Sequence, residues 1–193
     1  YDRCREVESN KDNHLDLWAR EHYKSTIITF AGTIQEIIID PEITVGIFSH
    51  TRKIAIKFLR QLKLEFESNQ DIKDVFPGIF WQHPKKQAPR WSDETGLIVK
   101  RASNPREATV EAWGLVDGQP TSAHFRLRVY DDVVTRESVT TPEQVAKTTE
   151  AWELSDNLGA AQEDGGSGRA WHIGTRYSFG DTYQVILDRN ALI

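Results

Sequence analysis

From Lys24 to Asp40 the apolar residues Ile27, Ile28, Ala31, Ile34, Ile37 and Ile38 recur at intervals of three and four, the stripe of an amphipathic helix. Just ahead of it, HLDLWA alternates apolar and polar side chains, which predicts a short strand delivering the chain into that helix. DPE at 40–42 ends the helix, and ITVGIFSH then reads as a buried strand rich in β-branched residues. From Thr51 to Ser68 the helical spacing returns, with Ile54, Phe58, Leu59, Leu62 and Phe66 on one face. Two strand and helix units in succession predict a parallel sheet covered on both sides.

Residues 69–91, with prolines at 77, 84 and 89, predict an irregular segment. GLIVKR and ATVEAWGLV predict strands, with ASNPRE as the bridge of a hairpin, and FRLRVYDDVV predicts another strand. Thr141, Pro142 and Glu143 open a helix in the order cap, first-turn proline and first-turn acid. AWHIGTR is the last predicted strand and FGDTYQVILDRN a closing helix. DGGSG, the one low-complexity patch, precedes a strand and not a helix, so it predicts a tight turn. No internal repeat interrupts this order, which predicts a single domain over residues 1–193.

Chemistry enters at WAREHYKST, residues 18–26. A phosphate-binding loop reads GxxxxGK[ST]: glycines bring backbone N–H groups to phosphate, Lys reaches the β and γ phosphates, and the hydroxyl ligates Mg²⁺. Here Trp18 and Tyr23 fall on the glycine positions, with Lys24 and Ser25 on the closing pair. Placed between a strand and a helix, the loop has the context phosphate needs, since a helix N-terminus aims unpaired N–H groups at an anion. Asp131 and Asp132 close an apolar strand, as do the acids that hold Mg²⁺ and position water in nucleotide hydrolases. Lys24, Ser25, Asp131 and Thr175 all fall just past predicted strands, at the sheet edge where ligands of parallel sheets gather.

Composition narrows the setting. The chain has 193 residues, is 38% hydrophobic and 27% charged, and carries a formal charge of −5; bulk electrostatic coating of nucleic acid is thereby disfavoured, and any polyanion site is local. One cysteine allows no intrachain disulfide, no apolar run predicts a membrane span, and the six histidines lack metal-ligand spacing. The sequence has no Met, even at its start, so either it is an excised piece of a longer chain or modified methionines are missing from it, which would leave spacings short by a residue. WQHPKKQAPRW interleaves Lys85, Lys86 and Arg90 with Trp81 and Trp91, a composition able to track a nucleic-acid backbone, although a solvated loop over anchored aromatics is the simpler reading.

WAREHYKST, VYDDVVTRESVTTPEQVAKT and WHIGTRYSFGDTY together resemble the ATPase domain of the large terminase subunit of tailed bacteriophages, over a span from about His14 to the end. The resemblance implies an α/β fold of the P-loop NTPase type with an additional strand (RecA-like), the WHIGTR strand lying between those that carry Lys24 and Asp131. It implies ATP and Mg²⁺ as cofactors: Arg20, Glu21, His22, Tyr23, Lys24, Ser25 and Thr26 wrap the phosphates, Arg20 adds charge where glycines are missing, and Ser25 and Asp131 hold the metal. Gly174, Thr175 and Arg176 form a motif that senses the γ phosphate, and Asp132 positions the attacking water. His22 reads as a packing or capping residue, not a catalyst.

The implied partners are double-stranded DNA, the portal, the small terminase subunit and further copies in a ring, with no membrane, in the cytoplasm of an infected or prophage-carrying bacterium. A nuclease domain is expected beyond Ile193. Where relatives carry Asp then Glu, this chain has Asp131 then Asp132, so Glu137 is a second candidate base. The arginine that acts on a neighbour's nucleotide is unassigned among Arg101, Arg106 and Arg126. The alternatives are a degenerate nucleotide-binding module that docks DNA or portal without turnover, and a helicase-type ATPase core.

Overall fold

The computed structural model describes residues 2–9, 13–161 and 168–190. DGGSG therefore lies almost wholly outside the described residues. A polar helix, α1 (Asp2–Ser9), which carries no apolar stripe, precedes strand β1 (Asn13–Leu17). After the loop at 18–24, a wide π-helical stretch, Ser25–Gly32, runs directly into an α-helix, α2 (Thr33–Ile39). Next come β2 (Val45–Ser49), α3 (Arg52–Ser68), α4 (Gln70–Val75), α5 (Pro84–Gln87), β3 (Trp91–Ser92) and β4 (Gly96–Leu97). The chain closes with β5 (Val110–Gly114), β6 (Leu127–Asp131), α6 (Pro142–Ser155), β7 (Arg169–Gly174) and α7 (Thr182–Asn190).

One seven-stranded sheet, in the order β1-β7-β6-β2-β5-β4-β3, carries the molecule. The five strands from β1 to β5 are parallel, and β4 and β3 add an antiparallel border. The protein is thus an α/β protein with a mostly parallel sheet. β7, the last strand in sequence, lies between β1 and β6, the position anticipated for WHIGTR.

Side chains alternate across each strand, so each strand feeds two cores. Val45, Ile47, Leu127, Val129, Trp171 and Ile173 face Ile28, Ile37, Ala55, Leu59 and Leu62, from the helical stretch 25–39 and α3. On the opposite face Phe48, Tyr130 and Ala170 meet Trp152 of α6 and Tyr183 and Ile186 of α7. The sheet is covered on both sides, and its parallel strands all end on one edge.

The two short helices α4 and α5 correct the irregular reading of residues 69–91. Asn69 caps α4 by accepting from the Ile72 N–H at 3.1 Å, and Pro84 starts α5 with its ring at the first position. The predicted hairpin shrinks to one pairing, Leu97 with Val110. Beyond Leu97 the backbone bonds elsewhere: Ile98 N–H donates to Arg90 O (3.0 Å) and Lys100 N–H to Ile79 O (2.8 Å), while Val99 N–H donates to Thr109 Oγ1 (3.2 Å). With those donors spent, the ladder cannot continue.

Candidate functional site

Register brings the predicted residues to one place. Leu17 pairs with Gly174 and Asp131 with Ile173, so the loop after β1, the turn after β7 and the acids at the end of β6 emerge side by side. Lys24 ends the first of these and is only 7% exposed. Its ammonium donates to Thr175 Oγ1 at 3.0 Å and lies 3.8 Å from Asp132 Oδ1. Thr175 in turn donates to Trp18 O at 3.3 Å, closing a path from loop to strand end and back. A buried ammonium is tolerated only with such partners.

Ser25 donates from Oγ to Asp131 Oδ1 at 3.0 Å. Thr29, one turn further on, donates from its hydroxyl to the other oxygen, Asp131 Oδ2. Asp131 is 0% exposed, and burial pushes its pKa up to about 6, against the hydrogen bonds from Thr29 and Ser25, which pull it down. A cation placed beside that carboxylate would favour its charged form.

The loop itself answers how a chain without glycine makes this turn. Glu21 (φ +65°) and Tyr23 (φ +57°) both adopt the left-handed conformation, while Lys24 is right-handed. Left-handed residues in succession with right-handed ones curl the backbone into the concavities that bind anions. Side chains other than glycine pay for this, of order 1–3 kcal/mol each, and such strain clusters at functional sites. Residues Glu21, His22, Tyr23, Lys24, Ser25 and Thr26 line a concavity of about 480 Å³. His22 Nδ1 lies 2.8 Å from Arg20 O, a local contact within the loop. The Arg20 guanidinium donates to the Tyr177 hydroxyl and lies 5.6 Å from the centre of its ring.

Asp132, half-exposed, is also left-handed (φ +49°), and its N–H donates to Ile173 O at 2.9 Å. Gly174 is demanded by packing: a Cβ there would stand 1.9 Å from Tyr183 Oη. Arg176 is turned to its own loop, donating to Ser178 O (3.2 Å), Phe179 O (2.8 Å) and Gln184. Glu137, itself exposed, opens a 3₁₀ turn, and among the described residues no hydrogen bond or ion pair joins it to Lys24, Ser25, Asp131 or Thr175. The site therefore assembles Lys24, Ser25, Asp131, Asp132 and Thr175, whereas Arg20 is engaged with Tyr177 and Glu137 makes no bond to the group.

Thr29 and Tyr177 had not been singled out. For Thr29 a signal existed: a hydroxyl in the middle of IITFA, one helical turn past Ser25. Tyr177 offers none, since nothing in spacing pairs it with Arg20.

Elsewhere several of the charged side chains have partners. A larger cleft of about 690 Å³ includes Arg52, Arg90, Glu111 and Trp113, but Arg90 lies 3.5 Å from Glu111 and Arg52 donates to Glu94 O at 2.7 Å. Lys85 pairs with Glu67 at 3.0 Å, and Trp81 and Trp91 donate their indole N–H to Ile98 O and Glu67 Oε1, both at 2.9 Å. The basic and aromatic segment is thus an anchored loop. Arg101 bonds Glu107 O (2.8 Å), Arg106 bonds Ser122 O (3.3 Å) and Arg126 pairs with Asp40 (2.6 Å).

Among the described residues no cluster of three or more His, Cys, Asp or Glu could hold a metal, and no helix is long and apolar enough to cross a membrane. One acid and one hydroxyl suit Mg²⁺, which keeps several waters and takes its remaining oxygens from phosphate. No protein-family model matches the chain, and no curated protein matches its sequence.

Proposed function

We propose that this domain is a P-loop ATPase of the additional-strand type, hydrolysing ATP with Mg²⁺ to drive double-stranded DNA into a viral prohead, as the motor domain of a large terminase subunit. The observation that carries the proposal is the convergence of Lys24, Thr175, Ser25, Asp131 and Asp132 at the ends of three adjacent parallel strands. The DNA-packaging part rests on the resemblance of three motifs; the nucleotide part rests also on this geometry.

Hydrolysis asks for little covalent chemistry from the protein. Lys24 brings three N–H donors and a full charge, of which Thr175 occupies one donor, and Arg20 supplies a second charge at the mouth of the loop. Ser25 and Asp131 would hold Mg²⁺, which when bound neutralises charge on the β and γ oxygens. Asp132 is half-exposed and stands beside Lys24, where it can orient a water and accept its proton. In a ring on the portal, a neighbouring copy would supply the arginine that acts in trans.

Replacing Lys24 with Ala removes the buried charge. The expected outcome in calorimetry is a loss of Mg-ATP or ADP affinity of about 1.5–3 kcal/mol, the scale of a charged hydrogen bond; equal affinity in both proteins would overturn the assignment. Binding without turnover is the second reading, favoured by the ion pair that engages Asp132 with Lys24. ATP turnover measured with DNA and portal present separates the two.

A further inference from the structure

Asp131 is gripped by both oxygens, and one of the grips has no part in the proposed reaction. Thr29 is 0% exposed and sits among Ile27, Ile28 and Phe30. A hydroxyl in such a position costs free energy unless it finds a partner, and an apolar side chain of the same shape would fill the space without that cost. Its partner is Asp131 Oδ2. Ser25 takes the other oxygen, Oδ1, at 3.0 Å. The π-helical stretch Ser25–Gly32 carries both hydroxyls, and wide turns of this kind occur frequently at functional sites.

Two donors on two oxygens fix the plane of a carboxylate about its Cβ–Cγ bond. One donor leaves it free to turn. Thr29 is suited to such a hold because its branched Cβ restricts χ1. Ser25 has a double duty: its one proton goes to Oδ1, and its lone pairs remain for a cation. That duty requires Oδ1 to stay where it is.

We propose that Thr29 is a positioning residue, which by holding Asp131 Oδ2 fixes Oδ1 beside Ser25 and so sets the affinity of the site for Mg²⁺. The inference rests on the Mg-nucleotide reading of the site. It assigns Thr29 no contact with nucleotide. The effect therefore belongs to the metal and not to the phosphates.

The test compares ADP binding by calorimetry in excess Mg²⁺ and in EDTA, together with Mn²⁺ titration of the ADP complex followed by electron paramagnetic resonance. Thr29→Val should weaken Mn²⁺ and Mg²⁺ binding by roughly 10–100-fold, the range for a group that orients a metal ligand, while ADP affinity in EDTA stays within about twofold. Thr29→Ser, which keeps the hydroxyl, should restore the metal affinity. In an Asp131→Asn background, Thr29→Val should have no further effect on it. Should Thr29→Val fail to fold, Thr29→Cys, of similar size and a weak donor, carries the same comparison. Unchanged metal affinity in Val or Cys, or an equal loss in Ser, overturns the role of Thr29 while ADP binding by the parent protein leaves the nucleotide reading standing. No ADP binding by the parent protein, with or without metal, overturns both.

Discussion

Tyr23 holds a left-handed backbone with its ring 73% exposed, so little burial offsets the strain at that residue. Glycine adopts the same conformation freely. Tyr23→Gly is expected to stabilise the fold by about 1 kcal/mol, the scale of the left-handed penalty for an L-residue, read from the urea midpoint at unchanged slope. A decrease in stability would show that the ring or its Cβ makes a contribution not accounted for by its exposure. On the proposed hydrolytic reading, two residues along the chain compete for the role of base. Asp132 stands 3.8 Å from Lys24, whereas Glu137 is exposed at the start of a 3₁₀ turn. Asp132→Asn is expected to keep ATP binding and to lower turnover by a factor on the order of 10², with Glu137→Gln within a few fold. Assayed with DNA and portal present, the reverse pattern moves the role to Glu137, and normal turnover in both discards a carboxylate base at either position.

At the scale of elements, legibility followed the length of the pattern. The buried run at 43–49 and the stripe of α3 were plain because seven consecutive buried residues and seventeen helical ones leave a long record. Thr141 capping α6 by accepting from Gln144 N–H was plain for a different reason, since cap chemistry is local. Helices of six and four residues leave no stripe, so α4 and α5 were hidden among prolines. In the site, Lys24 and Asp131 were legible from spacing, but the grip of Thr29 and the contact of Arg20 with Tyr177 depend on which strands become neighbours. Periodicity does not contain that information. The order β1-β7-β6 was accessible only through resemblance.

The pairing of β6 and β7 also buries an imidazole. His172 stacks on Tyr130, with ring centres 4.7 Å apart and planes at 3°, and its Nε2 accepts from Trp152 Nε1 at 3.0 Å. Burial, with nearby Arg128, pushes its pKa down to about 3. Between that value and the ordinary 6.5 the unfolded chain binds a proton that the folded one refuses, so stability falls as the pH drops through this window, by roughly 1.4 kcal/mol per unit. Replacing His172 with Gln, which can still accept from Trp152, should flatten the dependence by one proton in urea titrations between pH 6 and 4. An unchanged slope would mean that the ring titrates normally in the fold.

Across the whole molecule the hydrogen-bonded sheet is anchored at its centre and thin at the border. β2 and β6 have strands on both sides, but among the described residues β1 pairs with β7 alone. The loop carrying Arg20 to Lys24 therefore hangs from five residues of border strand, tied inward by the Lys24–Thr175 and Arg20–Tyr177 contacts. Amide exchange with deuterated water reports such differences, because border segments open at a lower free energy than the interior. The amides of Asn13–Leu17 should exchange well before those of Val45–Ser49. A ligand that grips Lys24 from outside stitches the border to its neighbour, so added Mg-ADP should slow exchange in β1 far more than in β2. The same gradient makes β1 the seam that opens first, and, on the proposed reading of the domain as a motor, the parting of that seam would be a means of letting the product go.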